Sequence, residues 1–391
     1  MKQNEELSMN MFSLRLIGWI SLLWGFADAF WLYLASTYIK DVTGSENVSL
    51  FYVPVFLAVI GVLFVLHELI RWLGKTTFLS ILLFILSVGA IYLSVVPASW
   101  AGLVVLALLF LSMNVGWVAL DAVLEDFSRD AYSGRIRGMH LTVMNIGILI
   151  APFLATRILD QYGFPAIFFG SALIYMAIFI FTVLGFRRIN YRFKEKIAPM
   201  AIIRKVRRMP DILRIYAVSF VLESFYAAMT VYLPFRLLDL GFSWLQIGSM
   251  YTIMLIPFVV IQYPIGLIAD RYSGEREMLL GALVILMIST ATVALLVSSS
   301  FWWWAAVLFI TRIGAASVEV LRDSYFYKHV DGEDGDLIAF FRTSRPAAAI
   351  VSSLLMAGLL LFFPVASVFW LIVLLTFGGF FVALRMRDVR G

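Results

Sequence analysis

Twelve times along this chain an apolar run continues for longer than about 18 residues, and a run of that length leaves the backbone one solution. The runs fall at 12–38, 48–70, 76–97, 100–124, 138–160, 164–186, 213–238, 244–268, 278–298, 301–322, 338–362 and 364–385. Hydrocarbon offers no water to bond the peptide N–H and C=O groups, so each run must satisfy them internally, as a helix. A membrane barrel would show alternating segments of about 10 residues instead. At about 1.5 Å per residue each run crosses a core of about 30 Å. The composition agrees: 62% of residues are hydrophobic and 14% charged, against about 25% charged in a soluble domain. A soluble enzyme, a coiled coil and a disordered chain are excluded. The polar start, Met1 to Asn10, has no cluster of positive charge, and the first run is too long for a signal core, so it is expected to remain as the first span.

The net charge of +5 would point to nucleic acid if the basic residues lay on one soluble face. Their placement says otherwise. With the N-terminus inside, only Lys40, Arg157 and Arg236 lie at outer positions and Arg312 falls mid-span; every other Lys and Arg is on the inner side. That is the positive-inside asymmetry. It places both termini in the cytoplasm, makes the lipid bilayer the partner and leaves no role for nucleic acid. Compact loops and the lack of targeting segments point to a prokaryotic inner membrane. Cysteine is absent and His67, His140 and His329 are far apart in sequence, so no metal site or cofactor is expected. No phosphate-binding Gly loop, dinucleotide fingerprint, serine elbow or HExxH stretch occurs, so neither an enzyme nor an ATP-driven pump is expected.

The long polar stretch 187–211 divides the chain into an N-terminal six-helix bundle (1–186) and a C-terminal one (212–391), with a basic cytoplasmic linker between. The halves are related. A shift of 199 aligns Phe26 with Phe225, Ala29 with Ala228 and Tyr33 with Tyr232. A shift of 198 aligns Gly116 with Gly314, Asp121 with Glu319 and Glu125 with Asp323, so each half carries two acids four residues apart at the inner end of its fourth span. Two repeats of like orientation imply a pseudo-twofold axis along the membrane normal, with the site near the midplane between them.

Between spans eight and nine the chain reads Gly266, Leu267, Ile268, Ala269, Asp270, Arg271, Tyr272, Ser273, Gly274, Glu275, Arg276. This resembles the G-x-L-A-D-R-x-G-R signature of the major facilitator superfamily, with one extra residue before Gly274. The resemblance implies two pseudo-twofold-related six-helix bundles, an inner gate at this turn, and a central cavity lined by spans one, four, seven and ten. Gly266, Asp270, Arg271, Gly274 and Arg276 are the gate candidates, the acid capping a neighbouring helix and pairing with Arg. Pro257 and Pro264 suit a bent helix leading into it. The first-half loop departs from the pattern: Arg71 stands where the signature has Asp, and Glu68 with Arg71 is the alternative wiring. In span five, Gly147 and Pro152 match part of an element found in the superfamily's drug–proton antiporters, while Ala151 replaces a Gly.

An ionisable group near the bilayer centre costs at least about 2.5–3.5 kcal/mol, so such groups mark function by default. Asp28 in span one, Glu223 in span seven and Arg312 in span ten are the embedded charges. Asp28 and Glu223 are expected to bind a cation or carry a proton, with Arg312 paired to Glu223. Trp24 and Asn114 are their repeat-related counterparts and join the candidate site. The shallower Asp121, Glu125, Glu319, Arg322 and Asp323 are read as gate salt bridges. Arg157 is expected to pair locally with Asp160, and His140 to sit at the interface.

The expected function is secondary active transport of a small organic or amphipathic solute by alternating access, as proton-coupled export. The alternatives are uptake by proton symport of a sugar, amino acid or lysolipid, and a non-transporting receptor or scaffold. A monomer is the expected state.

Overall fold

The computed structural model describes residues 2–127, 133–185, 205–271, 275–330 and 335–387, and among them every regular element is a helix. In chain order they are α1 (Lys2–Leu32), α2 (Ala35–Thr43), α3 (Ser49–Leu73), α4 (Lys75–Val95), α5 (Trp100–Phe127), α6 (Ser133–Gly185) and α7 (Pro210–Asp239). There follow α8 (Trp244–Val260), α9 (Gln262–Arg271), α10 (Glu275–Leu295), α11 (Phe301–Lys328), α12 (Gly335–Arg342), α13 (Ser344–Leu359) and α14 (Ala366–Leu384).

Among the described residues, ten helical stretches are long and apolar enough to cross a membrane. One of them, Thr142–Gly185, runs for 44 residues, about 66 Å of helix and twice the thickness of a hydrocarbon core. It is long enough for two crossings. The break is Gly163, whose φ of 72° and ψ of −173° interrupt the helix, with Pro165 opening the second limb. The eleventh expected run is divided: α13 alone has 16 residues, with α12 lying before it.

Two interruptions have one cause. Proline lacks an N–H and its ring crowds the carbonyl four residues back. The α8 helix ends at Val260, four residues before Pro264; α12 ends at Arg342, four before Pro346. At the first break Ile261 still bonds back to Pro257 (2.8 Å); at the second the chain tightens to a three-residue step, Thr343 to Phe340 (2.9 Å). The α8 start is set by a capping box, Ser243 with Gln246.

The described helices form two compact units. The first comprises Met1–Val42 with Ala58–Lys196, the second Thr43–Leu57 with Ile197–Gly391. Within the first, α1 and α6 approach to backbone contact. A Cβ on Gly147 would overlap the Leu22 carbonyl oxygen and stand 2.8 Å from the Phe26 amide nitrogen. Gly25 faces Met144 in the same way, so each helix supplies the gap that the other fills. In the second unit, Asn47 donates from Nδ2 to the Ala357 carbonyl (2.9 Å), and the Ser49 hydroxyl meets that of Tyr232. The outer surface is apolar: Val104, Ile288 and Leu374 are 63%, 60% and 65% exposed. Large apolar side chains turned outward at that density belong against lipid.

Candidate functional site

Asp28 sits in the last turns of α1 and is 2% exposed. Its Oδ2 accepts from Trp24 Nε1 (2.9 Å), one turn back, and from Trp117 Nε1 of α5 (2.6 Å). Its Oδ1 accepts from Tyr175 Oη of α6 (2.7 Å), and that phenol accepts in turn from Trp31 Nε1 (2.9 Å). One carboxylate thus ties three helices through two indoles and a phenol. Trp24 owes its place to Gly116, where a Cβ would come within 2.7 Å of the indole ring.

In the second unit Glu223 of α7 is held more loosely, and its partners differ from those expected. Arg322 of α11 donates from Nη1 to Glu223 Oε1 at 3.3 Å, and Arg345 of α13 brings Nε to 3.9 Å from Oε2. Arg312 is instead 2% exposed, with its guanidinium 5.0 Å from the Phe225 ring centre. Arg322 is buried, donates to Ser219 Oγ (2.9 Å) and to Asp323 Oδ1 (2.9 Å), and lies over Phe341. Ser219 also bonds Ser344 Oγ at 2.7 Å, joining α7 to α13. One turn beyond Glu223 and two beyond Ser219, Tyr226 donates from Oη to Glu319 Oε2 (2.8 Å).

The remaining sequence candidates scatter. Asn114 turns its amide back onto the Phe110 carbonyl of its own helix (2.8 Å). Asp121 is half-buried near the end of α5. Gly266 lies in α9 with ordinary space around it, a Cβ there meeting Val320 at 3.7 Å. The side chains of Glu125, Asp270 and Arg271, and all of Gly274, lie outside the described residues. Arg276 donates to the Leu384 carbonyl (2.7 Å), capping the end of α14, while its neighbour Glu275 is 2% exposed and pairs with Lys328 of α11. Glu68 and Arg71 form a local ion pair at 2.6 Å. Arg157 stacks on Phe153 at 3.9 Å rather than pairing with Asp160. His140 is buried, its Nδ1 2.5 Å from Ser21 Oγ. Sequence reasoning missed Trp117, Tyr175, Ser219, Ser344 and Arg345. Of these, Arg345 carried a signal, an ionisable residue inside an apolar run.

The comparisons fit this architecture. The profile of the Major Facilitator Superfamily matches residues 98–351 and, again, 237–391. The chain belongs to the Major Facilitator Superfamily. It is an integral, multi-pass membrane protein of a transporter family. Among solved structures, the nucleoside transporter NupG, in a mutant form, is similar: TM-score 0.74, 13% identity, 96% of this chain and 99% of that one covered. At that identity the likeness establishes the fold. No curated protein matches the sequence.

Proposed function

We propose that this superfamily member is a proton-coupled secondary transporter of a small organic solute, working by rocking of the bundles on either side of the basic stretch 187–211, with Glu223 as the proton carrier. The supporting observation is the contrast between the two embedded acids. Asp28 receives three donors at 2.6–2.9 Å, so a proton arriving there would displace a short bond. Glu223 has contacts of 3.3 and 3.9 Å and a side chain 15% exposed, so it gains and loses a proton at smaller structural cost. Asp28 is then a fixed element of the path and Glu223 the exchanging one.

Export is the direction carried over from the span-five element. Gly147 of that element is used for packing α1 against α6, a need common to export and uptake. The inner-membrane location, cytoplasmic termini and monomeric state remain parts of the proposal.

The test begins with a melting screen of the purified protein against solutes, nucleosides included because the similar structure is named for them. Solutes that raise the melting temperature go into proteoliposomes with an imposed pH gradient of either polarity. Glu223→Gln should lose gradient-driven accumulation while keeping solute exchange. Undiminished accumulation by this variant would sink the assignment, and the gradient polarity that drives flux reads out direction.

A further inference from the structure

The first membrane span is broken, and buried hydroxyl groups gather at the break. The span Leu16–Thr43 is made of α1 and α2, which part at Tyr33 and Leu34. There the Leu34 amide donates to the Trp31 carbonyl (3.0 Å), a three-residue step, so the Phe30 carbonyl drops out of the four-residue ladder. In lipid a released carbonyl needs another partner. Ser36 and Thr37 follow directly. Other hydroxyls of the first unit bond the carbonyl four residues back: Ser21 to Ile17 (2.6 Å), Ser87 to Leu83 (2.8 Å) and Thr156 to Pro152 (2.9 Å). Ser36 and Thr37 come too soon after the break to do so, and their buried oxygens have no hydrogen-bond partner among the described residues. The same is true of Ser171 in α6. Ser36 and Ser171 are 1% and 0% exposed.

Ring and hydrogen-bond contacts put the three hydroxyls at one level. On one side of them Trp31 Nε1 donates to Tyr175 Oη (2.9 Å); on the other the Tyr38 ring meets those of Phe164 and Phe168, each at 5.4 Å between centres. Ser36 and Thr37 lie between Trp31 and Tyr38, and Ser171 lies between Phe168 and Tyr175. Phe30 packs on Gly170, the residue before Ser171, where a Cβ would stand 3.0 Å from its ring. A cluster of buried polar atoms without partners points to a ligand. The atoms on offer are hydroxyl and carbonyl oxygens, the ligands that hard cations take. The long α1 ends here with the negative end of its dipole, and Asp28 brings a negative charge one turn before the break.

We propose that this layer of the first unit binds an alkali-metal cation such as sodium, through the hydroxyl oxygens of Ser36, Thr37 and Ser171 and the carbonyl oxygen of Phe30. Interrupted membrane helices hold sodium with such groups, unwound carbonyls and the C-terminal end of a half-helix. The cation ties α1 to α2 across their break and both to α6. The site belongs to the other unit from Glu223, so it goes beyond the proton proposed there and adds a metal ion to it.

The experiment uses the full chain in detergent with choline chloride as the only salt. Melting is followed while sodium, potassium or lithium chloride replaces choline at constant ionic strength. Sodium should raise the melting temperature saturably, on the order of 5 °C at a hundred times its midpoint concentration. Ser36→Ala and Ser171→Ala each remove one oxygen. In choline they should melt no lower than the parent, since each deletes an unbonded hydroxyl, while their sodium midpoints should rise about tenfold or more. Thr182→Ala removes another buried hydroxyl without a partner, further along α6, and should titrate like the parent. The proposal is overturned if none of the three cations acts differently from choline, or if neither serine variant moves the midpoint. It is also overturned if both variants melt lower than the parent by the same amount in every salt, the mark of hydroxyls that bond a buried water. Glu223→Gln should keep the full sodium response, so failure of the cation site and failure of the proton carrier show in different variants.

Discussion

Replacing Asp28 by Asn tests the bonding around it bond by bond. Asn offers one acceptor oxygen and one NH2 group where Asp28 offers two oxygens. If the amide oxygen takes the place of Oδ2, both indole bonds survive, from Trp24 and Trp117, but each loses its charge assistance, about 1 kcal/mol apiece. The NH2 group then faces Tyr175 Oη, a donor against a donor. That phenol already accepts from Trp31, so its proton is left buried without an acceptor, at about 1–3 kcal/mol. The flipped amide is worse, because it confronts two indole N–H groups. The expected loss is about 3–5 kcal/mol, on the order of 10 °C in melting temperature for a unit of this size. The assay is a double-mutant cycle with Tyr175→Phe, read by melting in detergent. The cost of burying the Asp28 charge is common to the parent and to Tyr175→Phe, so it drops out of the coupling term. Tyr175→Phe strands the Trp31 indole N–H in both backgrounds, so that cost cancels as well, and the substitution should be milder in the Asp28→Asn background by about 1–3 kcal/mol. Strict additivity would refute the reasoning. Because Asp28 is assigned a fixed role, the folded single variant should keep its dependence on the pH gradient.

Two further outcomes follow from the packing. Gly147→Ala places a methyl against the α1 backbone and should lower melting sharply, whereas Gly18→Ala, where a Cβ meets open space, should be neutral or raise stability by up to about 1 kcal/mol through helix propensity; equal effects from the two would contradict the close approach. Lys328→Met strands the buried Glu275 carboxylate and should cost about 3–5 kcal/mol, with Glu275→Gln added to it restoring much of the loss; a harmless single variant would show that the pair carries no weight.

The spans were legible because lipid imposes one backbone solution on every long apolar run. The embedded acids were legible because charge at depth is rare. Partners were not. Glu223 and Arg312 were matched by counting residues from the ends of their apolar runs. The helices overrun the core, however: α7 has 30 residues and α11 has 28, about 45 and 42 Å against about 30 Å. Counting from the ends of the runs therefore fixes no common level, and Glu223 meets Arg322, ten residues on from Arg312, instead. Tyr175 and Trp117 were invisible for another reason. Aromatic residues are ordinary in a membrane, and only helix rotation shows which of them turn a donor inward. The break in span eleven was written in the sequence at Pro346, but proline is common enough in spans that its position alone does not reveal a stop.

The segment Thr43–Leu57 has a bearing on how the chain can be cut. It precedes the basic linker by well over a hundred residues, yet it packs with the second unit, lending Asn47 to the Ala357 carbonyl and Ser49 to Tyr232. Severing the chain at the linker would therefore not yield two self-sufficient pieces. The C-terminal fragment made alone would lack part of its own packing, and the N-terminal fragment would carry a stretch whose contacts lie elsewhere. Complementation between separately expressed halves becomes a measure of how much the second unit borrows from the first half of the gene.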